Sequence, residues 1–379
     1  MNSLSAEVII IGMGISGISA AISCASIGID TLCIEATDSL GGTLINSNIF
    51  SICGLYKIDI DKPILTCAQG TRLWLKKLKG KPLKIGKLWV FRFKNQLFNK
   101  CIYNTISSLK NINVITNTPI KSGMTLRAKV FIDCSRNAVF TRLVNRETID
   151  PVKTAPGLNV IFKNIDISKL SIGTINVTKM LTKLNPFYTL RLYPQLELEG
   201  EIPATINLPP CNPEISKKEQ LLLYTKAKKY LYDAFYYLSK HHIAFRHAAI
   251  SKIGNNIGFR SARAIKGLYC LTDKDIIHTN SYKTNKIKGI RCSWPIELWE
   301  SSYGPRMIFP NNDGYNIPFE CLFTKGEKPY ILAAGINISA DPIAQSSCRV
   351  LASCMDTGYY AGKIAAKLAQ KEPFYTIVI

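Results

Sequence analysis

Hydrophobic and polar positions follow one another along this chain in blocks that change period. Val8-Ile9-Ile10-Ile11 is a short unbroken β-branched run, the pattern of a strand buried on both faces. From Ile15 to about Ile27 the residues are small and mostly apolar, which predicts a helix packed tightly on that strand. Thr31-Leu32-Cys33-Ile34-Glu35 predicts the next strand and completes a strand–helix–strand unit. The uncharged stretch Val8–Ile29 is interrupted by three glycines and bounded by Glu7 and Asp30, so it reads as strand, turn and helix rather than as a membrane span or leader. A helix is expected over Phe93–Leu109, and strands at Asn113–Thr116 and Ala128–Asp133. From Pro151 to about Pro210, spaced prolines and alternating segments such as Asn159-Val160-Ile161-Phe162 suit antiparallel strands. A charged, aromatic-rich helix should follow from Lys217 to about Lys240. The pattern then returns to that of the first unit, with a strand at Tyr330–Ala334, Gly335, a loop, and one long helix from about Ser346 to Gln370.

Within the first unit, Gly12-Met13-Gly14-Ile15-Ser16-Gly17 is a GxGxxG. Gly12 permits the tight turn off the strand, Gly14 lets the backbone approach a pyrophosphate, and Gly17 lets the helix lie close to the strand. The helix N-terminus then offers free N–H groups and a positive dipole end to the phosphates. Glu35 ends the second strand, where a carboxylate can accept from ribose hydroxyls. A GxGxxG alone is weak; here the preceding strand, the following helix and the acidic residue are all in place, so a dinucleotide site is expected. The sequence holds one such motif only, and no separate NAD(P)H site of this kind is evident.

A second glycine pair follows in Thr37-Asp38-Ser39-Leu40-Gly41-Gly42-Thr43. With it the chain resembles the FAD-dependent oxidoreductases of the glutathione-reductase-like superfamily, whose N-terminal motif runs GxGxxG, Glu, then GG. Ile52-Cys53-Gly54-Leu55-Tyr56 and the block Ile257–Thr272, with Arg260 and Arg263 inside it, are similar to further family segments, as are Ala333–Ala340, Ser347–Val350 and Met355–Gly362. The resemblance implies an α/β fold: an FAD-binding Rossmann-type parallel sheet from residues 1–150 and 316–379, with an inserted β-rich substrate or cap domain at 151–315. It implies FAD as cofactor, held by Gly12, Gly14, Gly17, Glu35, Gly41, Gly42 and Thr43, with a second contact at Gly335 and Ile338 and a flavin-side helix beginning near Arg349. Two departures stand out. Where the family has glycine near the end of its middle strand this chain has Arg136, and where the family often has arginine it has Ile336.

The activity implied is flavin-mediated hydride or electron transfer on a small-molecule substrate, with an electron donor or acceptor that the sequence does not name. Arg260 and Arg263, three apart, could share a helix face and clamp a substrate carboxylate, or pair with structural acids. The departures at Arg136 and Ile336 motivate a second reading, a flavin-fold subunit that has lost catalysis. The net charge of +22 motivates a third, a flavoenzyme acting on RNA or protein, or one lying on an anionic membrane. Lysines spread over every segment make that charge a solvated surface rather than a footprint, so nucleic acid and membrane are not the favoured partners. The one basic, aromatic cluster, Arg72 to Trp89, reads as a solvated helix with one apolar face. His241, His242 and His247 lack carboxylates at ligand spacing, so no metal is expected. Twelve cysteines without a CxxC suit a reducing cytoplasm.

Overall fold

A computed structural model describes residues 4–170, 175–278, 289–311 and 313–379. Its centre is a five-stranded sheet in which Tyr330–Ala333, Val130–Asp133, Val8–Ile11, Thr31–Ile34 and Ile112–Ile115 lie side by side in that order, all parallel. The register aligns Ile11, Ile34, Ile115, Asp133 and Ala333, so the carboxyl ends of all five strands open on one edge. Alternate residues serve two cores, as a pleated strand buried on both faces requires. Val8, Ile10, Cys33, Val130 and Ile132 meet the helices Ile15–Ile27 and Leu351–Ala369. Ile9, Ile11, Leu32, Ile34 and Phe131 meet Leu126, Phe140 and the far side. That side is closed by a small sheet in which Thr125–Ala128 lies between Leu4–Ser5 and Tyr375–Val378.

The two helices lie unusually close. A Cβ on Gly358 would stand 2.1 Å from the Ser16 carbonyl oxygen, and one on Gly362 would stand 2.3 Å from that of Ala20. Glycine here is a packing requirement, since any side chain would drive the helices apart.

A second core lies over a four-stranded antiparallel sheet, ordered Thr189–Leu192, Glu201–Asn207, Gly157–Lys163, Ala249–Ile253. Leu158, Val160, Phe162, Leu190, Ala204 and Ile206 face helix Lys217–His241, which buries Ala227, Leu231, Ala234 and Leu238 against them. Ser216 and Glu219 start that helix with a reciprocal capping box. The α/β architecture with a β-rich insertion is therefore present. The second core draws its buried residues from 158 to 259, whereas Ile290, Cys292, Ile296, Tyr315 and Ile317 pack with the first. We propose that the inserted unit ends near residue 259 rather than 315. Among the described residues no helix is long and apolar enough to cross a membrane.

Four elements differ from expectation. The long C-terminal helix is two, Pro342–Cys348 and Leu351–Ala369, because Val350 is extended. The Ala128–Asp133 strand is likewise two, in different sheets, divided at Lys129. The basic segment after Leu75 is a hairpin, Gly80–Ile85 with Leu88–Phe93, turned by Gly86 at φ +57°; its aromatic and β-branched second strand outweighs the lysines. Arg260 and Arg263 stand in non-helical chain between short strands, so they share no helix face.

Gly358→Ala should therefore destabilise the protein by about 1–3 kcal/mol through overpacking against the Ser16 backbone. Denaturant unfolding of the variant checks this; an unchanged midpoint would mean the helices are free to separate.

Candidate cofactor and substrate cavity

The turn after Val8–Ile11 is enclosed by backbone. Gly12 has φ +93°, and a Cβ there would meet the Cys134 carbonyl at 2.8 Å; one on Gly17 would stand 1.9 Å from the Gly12 oxygen. The second glycine pair closes from another side. The Gly41 N–H donates to the Met13 carbonyl at 2.8 Å, and Gly42 lies so near that its Cβ would be 3.1 Å from the Gly14 Cα. Gly14 differs from its neighbours: its φ is −66°, and nothing lies within 4 Å of where its Cβ would be. It faces a cavity, at the start of a helix whose N-terminus has no side-chain cap and no acid in its first turn.

Glu35 holds this turn in shape. Its Oε2 accepts from the Met13 N–H at 2.7 Å, and its Oε1 accepts from the Thr37 N–H and hydroxyl, both at 2.9 Å. From here the cavity runs along the carboxyl edge of the sheet, past Ala36, Thr118, Pro119 and Ser135, and extends to the second core. Its volume is about 1550 Å³. Ligand pockets commonly hold roughly 300–1000 Å³, so there is room for more than one occupant.

Midway, the N-terminal residues of helix Leu351–Ala369 form part of the wall, with Val350, Leu351 and Cys354 lining the space. Val350 caps nothing with its side chain; the Ala352 N–H donates to the Cys53 carbonyl at 3.4 Å, and the positive dipole end of the helix is presented there. Beside them Arg349 Nη2 donates to Glu297 at 3.0 Å, and the Trp294 indole donates to the same carboxylate at 3.3 Å. Burial pushes the Cys53 and Cys354 thiols up to about 12, so both stay protonated and behave as small apolar groups.

The far wall is the face of the antiparallel sheet opposite helix Lys217–His241. Gly157 and Asn159 on one strand, Thr189 and Arg191 with Tyr193 just beyond on another, and Thr205 on a third all line the cavity at every second position. The intervening Leu158, Leu190, Leu192, Ala204 and Ile206 form the second core. Polar alternation thus faces the cavity and apolar alternation faces the helix.

Of the residues singled out in the sequence, Gly12, Gly14, Glu35, Gly41, Gly42, Thr43, Arg349 and Arg260 line this one cavity. Gly17 stands behind the turn. Gly335 and Ile338 are not in the wall. Gly335 packs on Ser16, Ile338 is fully buried in the first core, and Ile336 between them is the residue that reaches the cavity. Arg263 is turned away and held by Glu214, at 2.7 Å and 2.9 Å, and by Asp150. Of the two settings weighed for it, the geometry is the structural pair. Arg136 does line the cavity, and neither solvent nor a carboxylate takes it up. Its guanidinium lies 4.5 Å over the Phe259 ring and 3.4 Å from the Ser261 carbonyl, where burial pushes it down to about 10. His241 bonds the Tyr237 carbonyl and His242 accepts from Ala244 N–H, so both finish off the long helix.

Sequence reasoning missed the wall from Thr189 to Tyr193, and Trp294, Glu297 and Trp299. The alternation Thr189-Leu190-Arg191-Leu192-Tyr193 was a usable signal for the first group. The second comes from extended and irregular chain with no periodicity to flag it.

The comparisons agree with this geometry. The chain belongs to the FAD dependent oxidoreductase family, whose model matches residues 7–148 and 190–374. It is an FAD-dependent oxidoreductase, and FAD is its cofactor. No curated protein sequence matches it. Among solved structures, CabE, an aromatic hydroxylase from angucycline biosynthesis, is similar over 97% of this chain and 63% of its own, at 9% identity and a TM-score of 0.52, and shares the fold. A geranylgeranyl bacteriochlorophyll reductase-like protein from Thermoplasma acidophilum is similar over 98% of this chain and 82% of its own, at 13% identity and a TM-score of 0.43. The p-nitrophenol 4-monooxygenase of Pseudomonas putida DLL-E4 is similar over the same shares, at 8% identity and a TM-score of 0.46.

Glu35→Gln should cost about 1–3 kcal/mol of stability even without ligand. An amide has one acceptor oxygen, so it must point its NH₂ at the Met13 N–H or at the Thr37 donors. Unfolding of flavin-free protein measures this; an unchanged stability would mean the carboxylate does not hold the turn.

Proposed function

We propose that the cavity seats FAD along its sheet-edge half and a small-molecule substrate against the flavin ring in its outer half. The single observation carrying this reading is the open space at Gly14. The neighbouring Gly12, Gly17 and Gly42 are glycine because protein backbone abuts them; of these four, Gly14 is the one whose Cβ would meet no protein atom, and it lines the cavity at an uncapped helix N-terminus suited to a pyrophosphate.

In this reading Gly12, Gly41, Gly42 and Thr43 shape the groove, Gly17 holds helix to strand, and Glu35 fixes the turn and offers its remaining lone pairs to ribose hydroxyls. FAD, when bound, accepts or gives up the electrons of the reaction. The N-terminus of helix Leu351–Ala369 presents its positive dipole end at mid-cavity, where it would favour an anionic form of a bound ring system, with the Arg349 guanidinium beside it paired to Glu297. Glu297 holds Arg349 in position. Cys53 and Cys354, protonated and apolar, keep that wall dry. The Arg136 guanidinium is held on the Phe259 ring and the Ser261 carbonyl; this supports cofactor access and argues against the reading of a decayed site. Electrons leave or arrive through a second redox partner, such as oxygen, a quinone or a protein.

Gly14→Ala tests this directly. Alanine fits the local φ and meets no protein atom, so stability should be unchanged. A methyl would stand where the pyrophosphate must approach, and flavin affinity should fall by at least about tenfold, or about 1.4 kcal/mol. Flavin absorbance after purification and titration of apo-protein give the answer. Full flavin content in the variant would remove the cofactor from this turn.

A further inference from the structure

The outer half of the cavity contains a guanidinium that the fold has positioned and left without a counter-ion. Arg260 Nη2 donates to the Asn207 side-chain oxygen at 2.8 Å, and Nη1 donates to the Ala155 carbonyl. Its plane lies 3.6 Å over the Trp299 ring. A Cβ on Gly157 would stand 2.9 Å from Nη2, so glycine at that strand position makes room for it. Both acceptors are neutral. The nearest acid named in its surroundings, Glu297, is bound by Arg349. Burial pushes Arg260 down to about 10. A second cation shares the neighbourhood: Arg191 lies over Tyr193 at 5.6 Å, and its Nη1 occupies space that Gly304 leaves free, 3.4 Å from where a Cβ would be. Among the described residues neither arginine forms an ion pair.

Two other arginines show what structural roles look like here. Arg92 is buried but turned to three carbonyls, those of Leu196, Phe50 and Phe93, and does not line the cavity. Arg263 is neutralised by Glu214 and Asp150. Arg260 has donors left over and opens on a cavity. Desolvated charge without a partner is costly, and two cations side by side repel, so an anion from outside is the missing member. The walls nearby, Trp299, Tyr303, Met307 and Phe309, are largely apolar.

We propose that the outer chamber binds a small organic acid with an apolar body, its carboxylate on the Arg260 fork with Arg191 beside it. The proposal rests on the cofactor reading only for placing that acid next to the flavin.

Benzoate and its neutral isostere benzamide are the probes. Quenching of tryptophan fluorescence reports binding with or without flavin, because Trp294 and Trp299 both line the cavity; perturbation of the flavin absorbance adds a second readout in the holoprotein. Wild type should bind benzoate at least about tenfold more tightly than benzamide, or about 1.4 kcal/mol. In Arg260→Gln the preference should fall below about threefold, or about 0.7 kcal/mol, with melting temperature and flavin content retained. If that variant does not fold, Arg191→Gln, on a separate strand, must lower the preference in the same direction. Equal binding of the two probes by wild type, no binding of either, or full preference in a folded Arg260→Gln would overturn the proposal. Absence of flavin from wild type would instead strike the cofactor reading, while fluorescence would still decide the chamber.

Discussion

The structure depends on one crowded place, the first turn of helix Ile15–Ile27. Backbone closes on it from several directions. Cys134 abuts Gly12, the Gly12 carbonyl abuts Gly17, Gly42 abuts Gly14, and Gly335 and Gly358 both abut Ser16. The Gly12–Gly17 contact is internal to the turn; the other four each join a different part of the chain to it: the middle strand, the second glycine pair, the last parallel strand and the C-terminal helix. None tolerates a β-carbon without movement. Sheet order, the close helix pair and the shape of the groove all follow from how nearly these backbones approach. Because the turn is fixed so thoroughly, the one direction left open, at Gly14, is defined by the protein rather than by flexibility.

That constraint explains why the two halves of the cavity differ. The sheet-edge half is made of backbone and glycine, and its charge comes from helix ends. The outer half is made of side chains on a pleated sheet, where alternation lets one strand carry Leu190 and Leu192 into a core and Arg191 into the cavity. The first kind of surface suits a ligand shared across a family, because it relies on N–H groups and on absent side chains. The second can be respecified one residue at a time without disturbing the core behind it.

The sequence made the first half legible and the second largely not, for physical reasons. Steric need leaves a mark: Gly12, Gly17, Gly41 and Gly42 stand where a β-carbon would meet protein or strain the backbone, and the strands beside them are uninterrupted apolar runs because both faces are buried. The break at Val350 left none. No glycine, proline or capping side chain stands there, and Ser346 to Gln370 keeps a continuous helical pattern, so the presented helix N-terminus could be seen only in three dimensions. Gly335 and Ile338 stand one and two residues from Ile336, the residue of that segment that lines the cavity. The hairpin Gly80–Phe93 was obscured by its lysines, whose charge suggested a solvated helix although the residues between them pair across strands. Arg260 and Arg263 were legible as a pair by spacing, yet a non-helical backbone sends them to opposite fates.

The charge of the chain has to be read at two scales. Over the whole sequence the 48 basic residues are mostly lysine, only thirteen being arginine, and they are spread without focus. Around the cavity the preference reverses, with Arg136, Arg191, Arg260 and Arg349 against Lys87, Lys179 and Lys217. Compositional drift toward lysine does not produce that. A guanidinium can stack on an aromatic face and keep its fork fixed when partly desolvated, which an ammonium cannot do as well. Three of the four cavity arginines lie over aromatic rings, of Phe259, Tyr193 and Trp299, and the fourth is held by Glu297. The surface lysines need no ligand to account for them. The stacked arginines do, because none of them forms an ion pair with an acid of the described chain, and burial weighs on the charge of Arg136 and Arg260. Of the two acids in the cavity wall, Glu35 is committed to the glycine turn and Glu297 to Arg349. What the cavity lacks in negative charge its ligands must bring: the phosphates at one end, and an acid at the other.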